Sequence, residues 1–144
     1  MHNLLSLKPD FLSFFLDTDT SGEALQAYAK LAQKSQLPIT VELVVSGQRS
    51  VGKEVEDAAK ALASAGVSPR SVVITQSQDL KSFQPTDKRP PGPSFEELAQ
   101  AARRSFPGAM IGGGMISFFT ELNRKRPPQG VFDFVTHSIC PIVH

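Results

Sequence analysis

The densest group of reactive side chains in this sequence lies in its last third, after three glycines at positions 112–114. A pair of phenylalanines follows, and then Glu121, Asn123 and Arg124 bring a carboxylate, an amide and a guanidinium together within four positions. Glycine has no Cβ, so it lets the backbone approach another group closely. The segment therefore indicates a strand that ends in glycines and then delivers groups able to hold a small polar ligand.

Glu121 is the best candidate for a general acid or base. We predict that Phe118 and Phe119 remove water from its carboxyl group, and such desolvation raises the pKa of a carboxyl toward the working range of an enzyme. The alternative is a surface glutamate on a short helix, and the residue pattern alone leaves both open.

His137 stands at the end of the next apolar run, and we expect its strand end to lie beside the segment that carries Glu121. An imidazole in that position can transfer protons or polarise a carbonyl group, although a purely structural histidine is equally consistent with the pattern. His144 is seven positions further on, beyond a proline, and no close triplet of His, Asp and Glu occurs, so no metal site is predicted. The sequence also has no G-x-G-x-x-G, Walker or G-x-S-x-G motif, and no cofactor is predicted.

Apolar runs recur at intervals typical of βαβ units, at positions 11–16, 39–45, 71–75, 109–111 and 131–136. Amphipathic helical patterns lie between them. We expect capping boxes at Thr20–Glu23 and Ser94–Glu97, a helix cap at Ser50, and Gly66 just past the end of a helix.

Alternating strands and helices predict a parallel sheet, and two architectures fit. One is part of a (β/α)8 barrel of the TIM type, and the other is a flavodoxin-like open sheet of five strands. No helical pattern covers the last strand, which favours the partial barrel. We therefore expect residues 1–144 to be a single α/β unit and a fragment of a larger barrel domain.

In both architectures, ligands bind at the carboxyl ends of the strands. Asp17 and Gln76 follow the first and third strands, and Glu42 lies within the second, so all three are predicted to contact a substrate. Asp17 could instead cap a helix, and Glu42 could sit at an edge of the sheet. The proline-rich stretch from Ser77 to Pro93 is predicted to be a long loop that covers the site or simply extends from the surface.

The composition argues against several classes of partner. There are 15 Lys and Arg against 14 Asp and Glu, and the net charge of +1 gives no electrostatic basis for binding nucleic acid or an anionic membrane. The basic cluster Arg124-Lys-Arg126 is predicted to be solvated surface. No apolar run is long enough to span a membrane. Cys140 is the only cysteine, so a reducing cytoplasm is the default location.

Two segments resemble the barrel domain of the D-apionate lactonase family, bacterial enzymes of apiose catabolism. They are Ile111–Pro128, with the phrase Phe-Thr-Glu-Leu-Asn-Arg, and Asp133–His144, which ends in Pro-Ile-Val-His. The upstream strands fit the same barrel in outline. The resemblance implies hydrolysis of a branched-sugar lactone, D-apionolactone, to the open aldonate D-apionate, within a longer protein.

Opening a lactone needs an activated water, a donor to the tetrahedral oxyanion, and groups that grip the sugar hydroxyls. We assign Glu121 as general base, His137 as proton donor or oxyanion stabiliser, and Asn123 and Arg124 as substrate contacts. The partner is then a small sugar lactone, and the oligomeric state stays open. The alternatives are a glycoside hydrolase of similar barrel, with Glu42 as the second carboxylate, and a non-catalytic flavodoxin-like binding or signalling domain.

Overall fold

The chain alternates strands and helices from one end to the other in the computed structural model, which describes residues 6–17 and 19–139. The strands are β1 (Leu12–Leu16), β2 (Ile39–Val45), β3 (Ser71–Gln76), β4 (Met110–Met115) and β5 (Phe134–His137). The helices are α1 (Gly22–Ser35), α2 (Val51–Ser64), α3 (Phe95–Ser105) and the short α4 (Phe119–Arg124), and a 3₁₀ turn at Ser77–Leu80 directly follows β3.

The five strands form one parallel sheet in the order β1-β2-β3-β4-β5. A flavodoxin-like sheet would place β1 between β2 and β3, giving the order 2-1-3-4-5. Neighbours in sequence are instead neighbours in space throughout, as in a (β/α)8 barrel. The prediction of a partial barrel is confirmed, and the flavodoxin-like alternative is wrong.

The strand register sorts the side chains of the sheet onto two faces. Phe14, Val41, Val72 and Ile111 lie opposite one another on successive strands, and all are buried in the core that the helices cover. The next row, on the opposite face, runs from Phe15 through Glu42, Val73 and Gly112 to Phe134. Because residues alternate between faces along a strand, the second row belongs to the concave inner face of the barrel type.

The glycines of β4 lie within the strand. The expectation from the sequence, that they end the strand, is wrong. A Cβ on Gly112 would collide with the ring of Phe134, and one on Gly113 would collide with the ring of Phe132. Gly114 has φ +139°, and a Cβ there would meet the carbonyl oxygen of Thr136 on the neighbouring strand. The run therefore continues the strand while leaving room for a ring on each face and for close backbone contact with β5.

The start of β5 is fixed by Asp133, just before the strand. Its N–H donates to the carbonyl of Ile111 at 2.8 Å, and its Oδ2 accepts the N–H of Ile111 at 2.7 Å. Arg103 of α3 donates to both carboxylate oxygens of Asp133, at 3.0 and 2.9 Å. The hydrogen bonds from Arg103 are the main cause that lowers the pKa of Asp133.

Of the four predicted helix ends, three are confirmed and one is wrong. Ser50 takes the N-cap position of α2, although its side chain makes no capping bond. Ser94 and Glu97 form the complete capping box of α3, and Gly66 takes φ +78° just past α2. At α1 the cap is Ser21 and not Thr20, because the Thr20 hydroxyl donates to Asp17 Oδ1 at 3.0 Å in the turn after β1.

No helix in the part of the chain that the structure describes combines the length and apolar character needed to cross a membrane.

Replacing the cap of α3 should weaken the fold. Ser94→Ala removes a side-chain acceptor from the Glu97 N–H, so we expect the free energy of unfolding to fall by about 1 kcal/mol. Ser50 occupies the same position in α2 but makes no side-chain capping bond. Urea unfolding of Ser94→Ala and Ser50→Ala compares the two, and an equal loss in both variants would contradict the structure.

Gly114 should tolerate no side chain. We expect Gly114→Ala to lower the free energy of unfolding by about 2 kcal/mol or more, because the clash is with backbone and φ is positive. Gly52 in α2 has open space around its Cα. Gly52→Ala is therefore the matched control, and we expect it to leave the urea midpoint unchanged or raise it slightly.

Candidate active site

Two segments that leave the carboxyl ends of β3 and β4 meet at one edge of the sheet. After β3 come the 3₁₀ turn and the proline-rich loop, residues 81–94, and after β4 comes α4. The first segment contributes Asp79, Ser82 and Arg89, and the second contributes Glu121. This is the edge at which parallel α/β folds bind their ligands.

The carboxylate of Glu121 is completely buried and surrounded by donors. Its Oε1 accepts from Ser82 Oγ at 3.0 Å, from Arg124 Nη1 at 2.6 Å and from the N–H of Phe83 at 3.4 Å. Its Oε2 accepts from Arg89 Nη2. Two cations and two neutral donors therefore hold this group in place, and three of the four donors belong to the proline-rich loop.

Asp79 is the second buried carboxylate of this edge. Its Oδ1 accepts from Arg89 Nη1 at 3.1 Å, and its Oδ2 accepts from Gln76 Nε2 at 2.9 Å and Lys125 Nζ at 2.6 Å. Arg89 thus bridges Asp79 and Glu121. The result is a network of two carboxylates and three cations that joins the 3₁₀ turn, the loop and the region of α4.

The expected direction of the Glu121 pKa is wrong. Burial does raise the pKa of this carboxyl, but hydrogen bonds from Ser82, Phe83 and Arg124 and the charge of Arg89 outweigh burial and leave the pKa below its ordinary value. Phe119, which was expected to shield the group, is itself 53% exposed. Glu121 is therefore an ionised carboxylate at neutral pH, and the surface-glutamate alternative is wrong as well.

His137 ends β5 beside the end of β4, where it pairs with Met115. The two strand ends thus lie side by side, as the sequence predicts. The ring is exposed and packs edge to face on Phe119, with 4.9 Å between ring centroids. Its Nδ1 is 3.1 Å from the carbonyl oxygen of Ser138. A carbonyl can only accept, so Nδ1 carries the hydrogen and Nε2 of the neutral ring is left as an acceptor.

The basic cluster after Glu121 is only partly the solvated surface that we predicted. Arg124 bonds to Glu121 and, through the same Nη1, to the carbonyl of Phe83 at 2.6 Å, while 41% of its side chain stays exposed. Lys125 pairs with the buried Asp79. Arg126 donates to the Oδ1 of Asn123 at 2.6 Å, and both of these residues are exposed.

The other predicted substrate contacts lie in different surroundings. Glu42 is on the inner face of β2 and accepts from Ser13 Oγ at 3.0 Å. Gln76 is buried, and its side chain lies on the face of β3 opposite to Val73 and Thr75. It bonds to Asp79 and Gln78 of the 3₁₀ turn. Asp17 lies in the turn after β1, where it accepts from Thr20 and from the N–H of Asp19. The structure brings none of these three into the contacts of Glu121.

The end of β2 is closed by another carboxylate that the sequence does not single out. Glu54 of α2 is buried and accepts from the N–H and hydroxyl of Ser46 at 2.6 and 2.9 Å and from the N–H of Arg49 at 3.0 Å. Burial raises the pKa of Glu54, but these hydrogen bonds outweigh burial and lower it. The donors of the glycine-containing turn between β2 and α2 are therefore already bonded to an anion, the carboxylate of Glu54.

Sequence reasoning missed Asp79, Ser82 and Arg89. Asp79 follows a strand closely, which is a usable signal, but Ser82 and Arg89 stand in a loop without periodicity. Among the described residues, no group of three His, Cys, Asp or Glu is arranged to hold a metal ion.

Removing the charge of Glu121 should destabilise the protein and change its response to acid. Glu121→Gln removes the anionic partner of Arg124 and leaves Arg89 with Asp79 alone, so we expect a loss of about 2 kcal/mol in the free energy of unfolding at pH 7. The pKa of Glu121 is lower in the folded state, so its contribution is present above its ordinary value of 4.5 and is lost as the pH falls through the folded value.

Urea unfolding between pH 7 and pH 3 measures both effects, and the variant should lose part of the acid dependence. Glu56→Gln, which removes an exposed ion pair with Lys60, is the matched control and should change little. Parallel pH profiles for Glu121→Gln and the parent protein would contradict a lowered pKa.

Comparison with known proteins places this geometry in a family. The family described as "D-apionate lactonase, TIM barrel domain" matches residues 1–144. A curated protein named D-apionate lactonase, from Brucella anthropi, is 37% identical over 143 residues, which are 98% of this chain and 24% of the relative. The chain thus spans about a quarter of the length of that relative. The TIM barrel named in the family description agrees with the sequential parallel strand order, and the chain belongs to the D-apionate lactonase family, within its TIM barrel domain.

Proposed function

We propose that this chain contributes to an enzyme that opens a branched-sugar lactone, D-apionolactone, to D-apionate. The observation that carries the proposal is the similarity, over 98% of the chain, to a protein named D-apionate lactonase. The chemistry at the carboxyl edge supports it, because that edge combines an exposed imidazole with a cluster of cations.

Lactone opening has three chemical requirements. A water molecule loses a proton as its oxygen attacks the ring carbonyl, and the carbonyl oxygen becomes a tetrahedral oxyanion. The intermediate then collapses, the bond between the carbonyl carbon and the ring oxygen breaks, and the ring oxygen leaves with a proton. The product acid ionises at neutral pH, so each turnover releases one proton to the solvent.

His137 fits the proton-transfer steps. Its Nδ1 bonds to the carbonyl of Ser138, so in the neutral form of the ring Nε2 can accept a proton from water. The imidazolium formed in this way can then give that proton to the departing ring oxygen. Its exposed position at the end of β5 makes the ring accessible to a substrate.

The cations near Glu121 suit the negative charge that appears during the reaction. Arg89, Arg124 and Lys125 carry three positive charges against the two negative charges of Asp79 and Glu121. The side chain of Arg124 is 41% exposed. We therefore assign Arg124 to the oxyanion or to the carboxylate of the product, with Asn123 as a weaker candidate because Arg126 already uses its Oδ1.

The geometry favours a role for Glu121 other than the general base predicted from the sequence. A base must be reachable by water and must exchange a proton near the working pH, whereas Glu121 is buried and bonded to four donors. We infer that Glu121 acts as a fixed anion that orients Arg89 and Arg124. Loss of a base would lower kcat, whereas loss of this anion would chiefly raise KM and lower stability.

A glycoside hydrolase is the second candidate, and the inner-face position of Glu42 is the observation in its favour. That chemistry needs two carboxyl groups about 5 Å or about 6.5–9.5 Å apart. Glu42 lies within β2 and Glu121 lies beyond the end of β4, and β3 separates the two strands. The two carboxyl groups are therefore not on neighbouring strands, which makes this pairing the weaker candidate.

The test is proton release from D-apionolactone by the full-length protein. We expect His137→Ala to lower kcat by about 100-fold or more, and Glu121→Gln to raise KM with a smaller change in kcat. Glu56→Gln serves as the control variant. Hydrolysis of nitrophenyl glycosides without lactone opening would favour the glycoside hydrolase. A His137→Ala variant as fast as the parent would remove His137 from the mechanism.

A further inference from the structure

The proline-rich loop contains one side chain that is turned inward and tied to two other segments. Residues 81–94 have no regular structure and include four prolines. Even so, the side chain of Arg89 is only 22% exposed. A loop of this kind normally has little to hold it in one position. Ser82 and Phe83 tie its first part to Glu121 and Arg124, and Arg89 is the charged side chain that ties its later part to the same edge.

The guanidinium of Arg89 uses each of its terminal nitrogens for a different carboxylate. Nη1 donates to Asp79, which precedes the loop, and Nη2 donates to Glu121 in α4. Its central carbon also lies 4.4 Å from the ring centroid of Phe83, within the same loop. A planar fork that reaches two acceptors and stacks on a ring is specific to arginine, because the lysine ammonium is a single point charge.

Both carboxylates have a further cation of their own. Glu121 also pairs with Arg124, and Asp79 also pairs with Lys125. Removing Arg89 would therefore leave each buried charge with a partner and the sheet intact. The loop, in contrast, would lose the contact that joins its distal part to both segments.

We propose that Arg89 is a positioning residue that fastens the proline-rich loop at the carboxyl edge of β3 and β4, where the loop forms one wall of the substrate site. This inference rests on the proposed function for the identity of the substrate. Arg89 acts through the loop and through Glu121, and it takes no part in bond making or breaking.

Chymotrypsin provides a local probe of the loop, because it cleaves after Phe83, whose ring lies against Arg89. In the full-length protein, we expect Arg89→Met to speed cleavage after Phe83 about tenfold, with the fragments identified by mass spectrometry. Lys88→Met is the matched control, since Lys88 is the exposed neighbour in the same loop, and it should be cleaved like the parent. Arg89→Lys should be intermediate, because an ammonium reaches one carboxylate at a time.

Kinetics with D-apionolactone separate positioning from a general loss of structure. We expect Arg89→Met to raise KM about fivefold or more while kcat changes by less than about twofold, and Arg89→Lys to recover part of the loss. Lys88→Met should have the KM of the parent. Urea unfolding should stay cooperative in both methionine variants, which shows that the fold is retained. The midpoint of Lys88→Met should match that of the parent, and that of Arg89→Met should fall less than that of Glu121→Gln, because Arg124 and Lys125 still pair with the two carboxylates.

Equal cleavage rates after Phe83 in Arg89→Met and Lys88→Met would overturn the proposal. Faster cleavage with an unchanged KM would overturn it as well, and so would global unfolding of Arg89→Met. If the parent protein opens no lactone, the proposed function fails, and the cleavage rates alone decide whether Arg89 fastens the loop.

Discussion

The carboxyl edge of this sheet depends on two buried negative charges, Glu121 and Asp79. Burying an ion costs several kcal/mol unless charged and hydrogen-bonded partners surround it. Here Arg89, Arg124 and Lys125 supply that environment. Because each carboxylate tolerates little displacement from its donors, the loop after β3 and the helix after β4 are held in one mutual arrangement.

The same charges determine which groups at this edge are available for chemistry. A carboxylate surrounded by four donors is stable as an anion, and its oxygens are already committed. His137 lies in the opposite situation, exposed and with its tautomer set by one carbonyl. The edge thus combines a fixed electrostatic framework with an exposed imidazole, and in the proposed function the two act on one ligand.

The position of His137 follows from packing that begins far from it. The glycines of β4 allow Phe132 and Phe134 to lie against the strand, and Asp133 joins the start of β5 to Ile111 and Arg103. Once this start is fixed, the parallel register carries His137 to the level of Met115. Substitutions near the beginning of β5 therefore bear on the geometry at its end.

The sequence by itself determined the strand and helix alternation, the capping box of α3 and the adjacent ends of β4 and β5, because periodicity and capping depend on residues close in the chain. The strand β4 that the sequence predicted is too short, because glycine has a low strand propensity. Only the packed rings of Phe132 and Phe134 explain why glycines occur inside this strand. Tertiary structure alone decided the state of Glu121. Its donors Ser82, Phe83 and Arg89 lie 32 to 39 positions away, and a pKa depends on which groups surround a carboxyl in space, which no local pattern records.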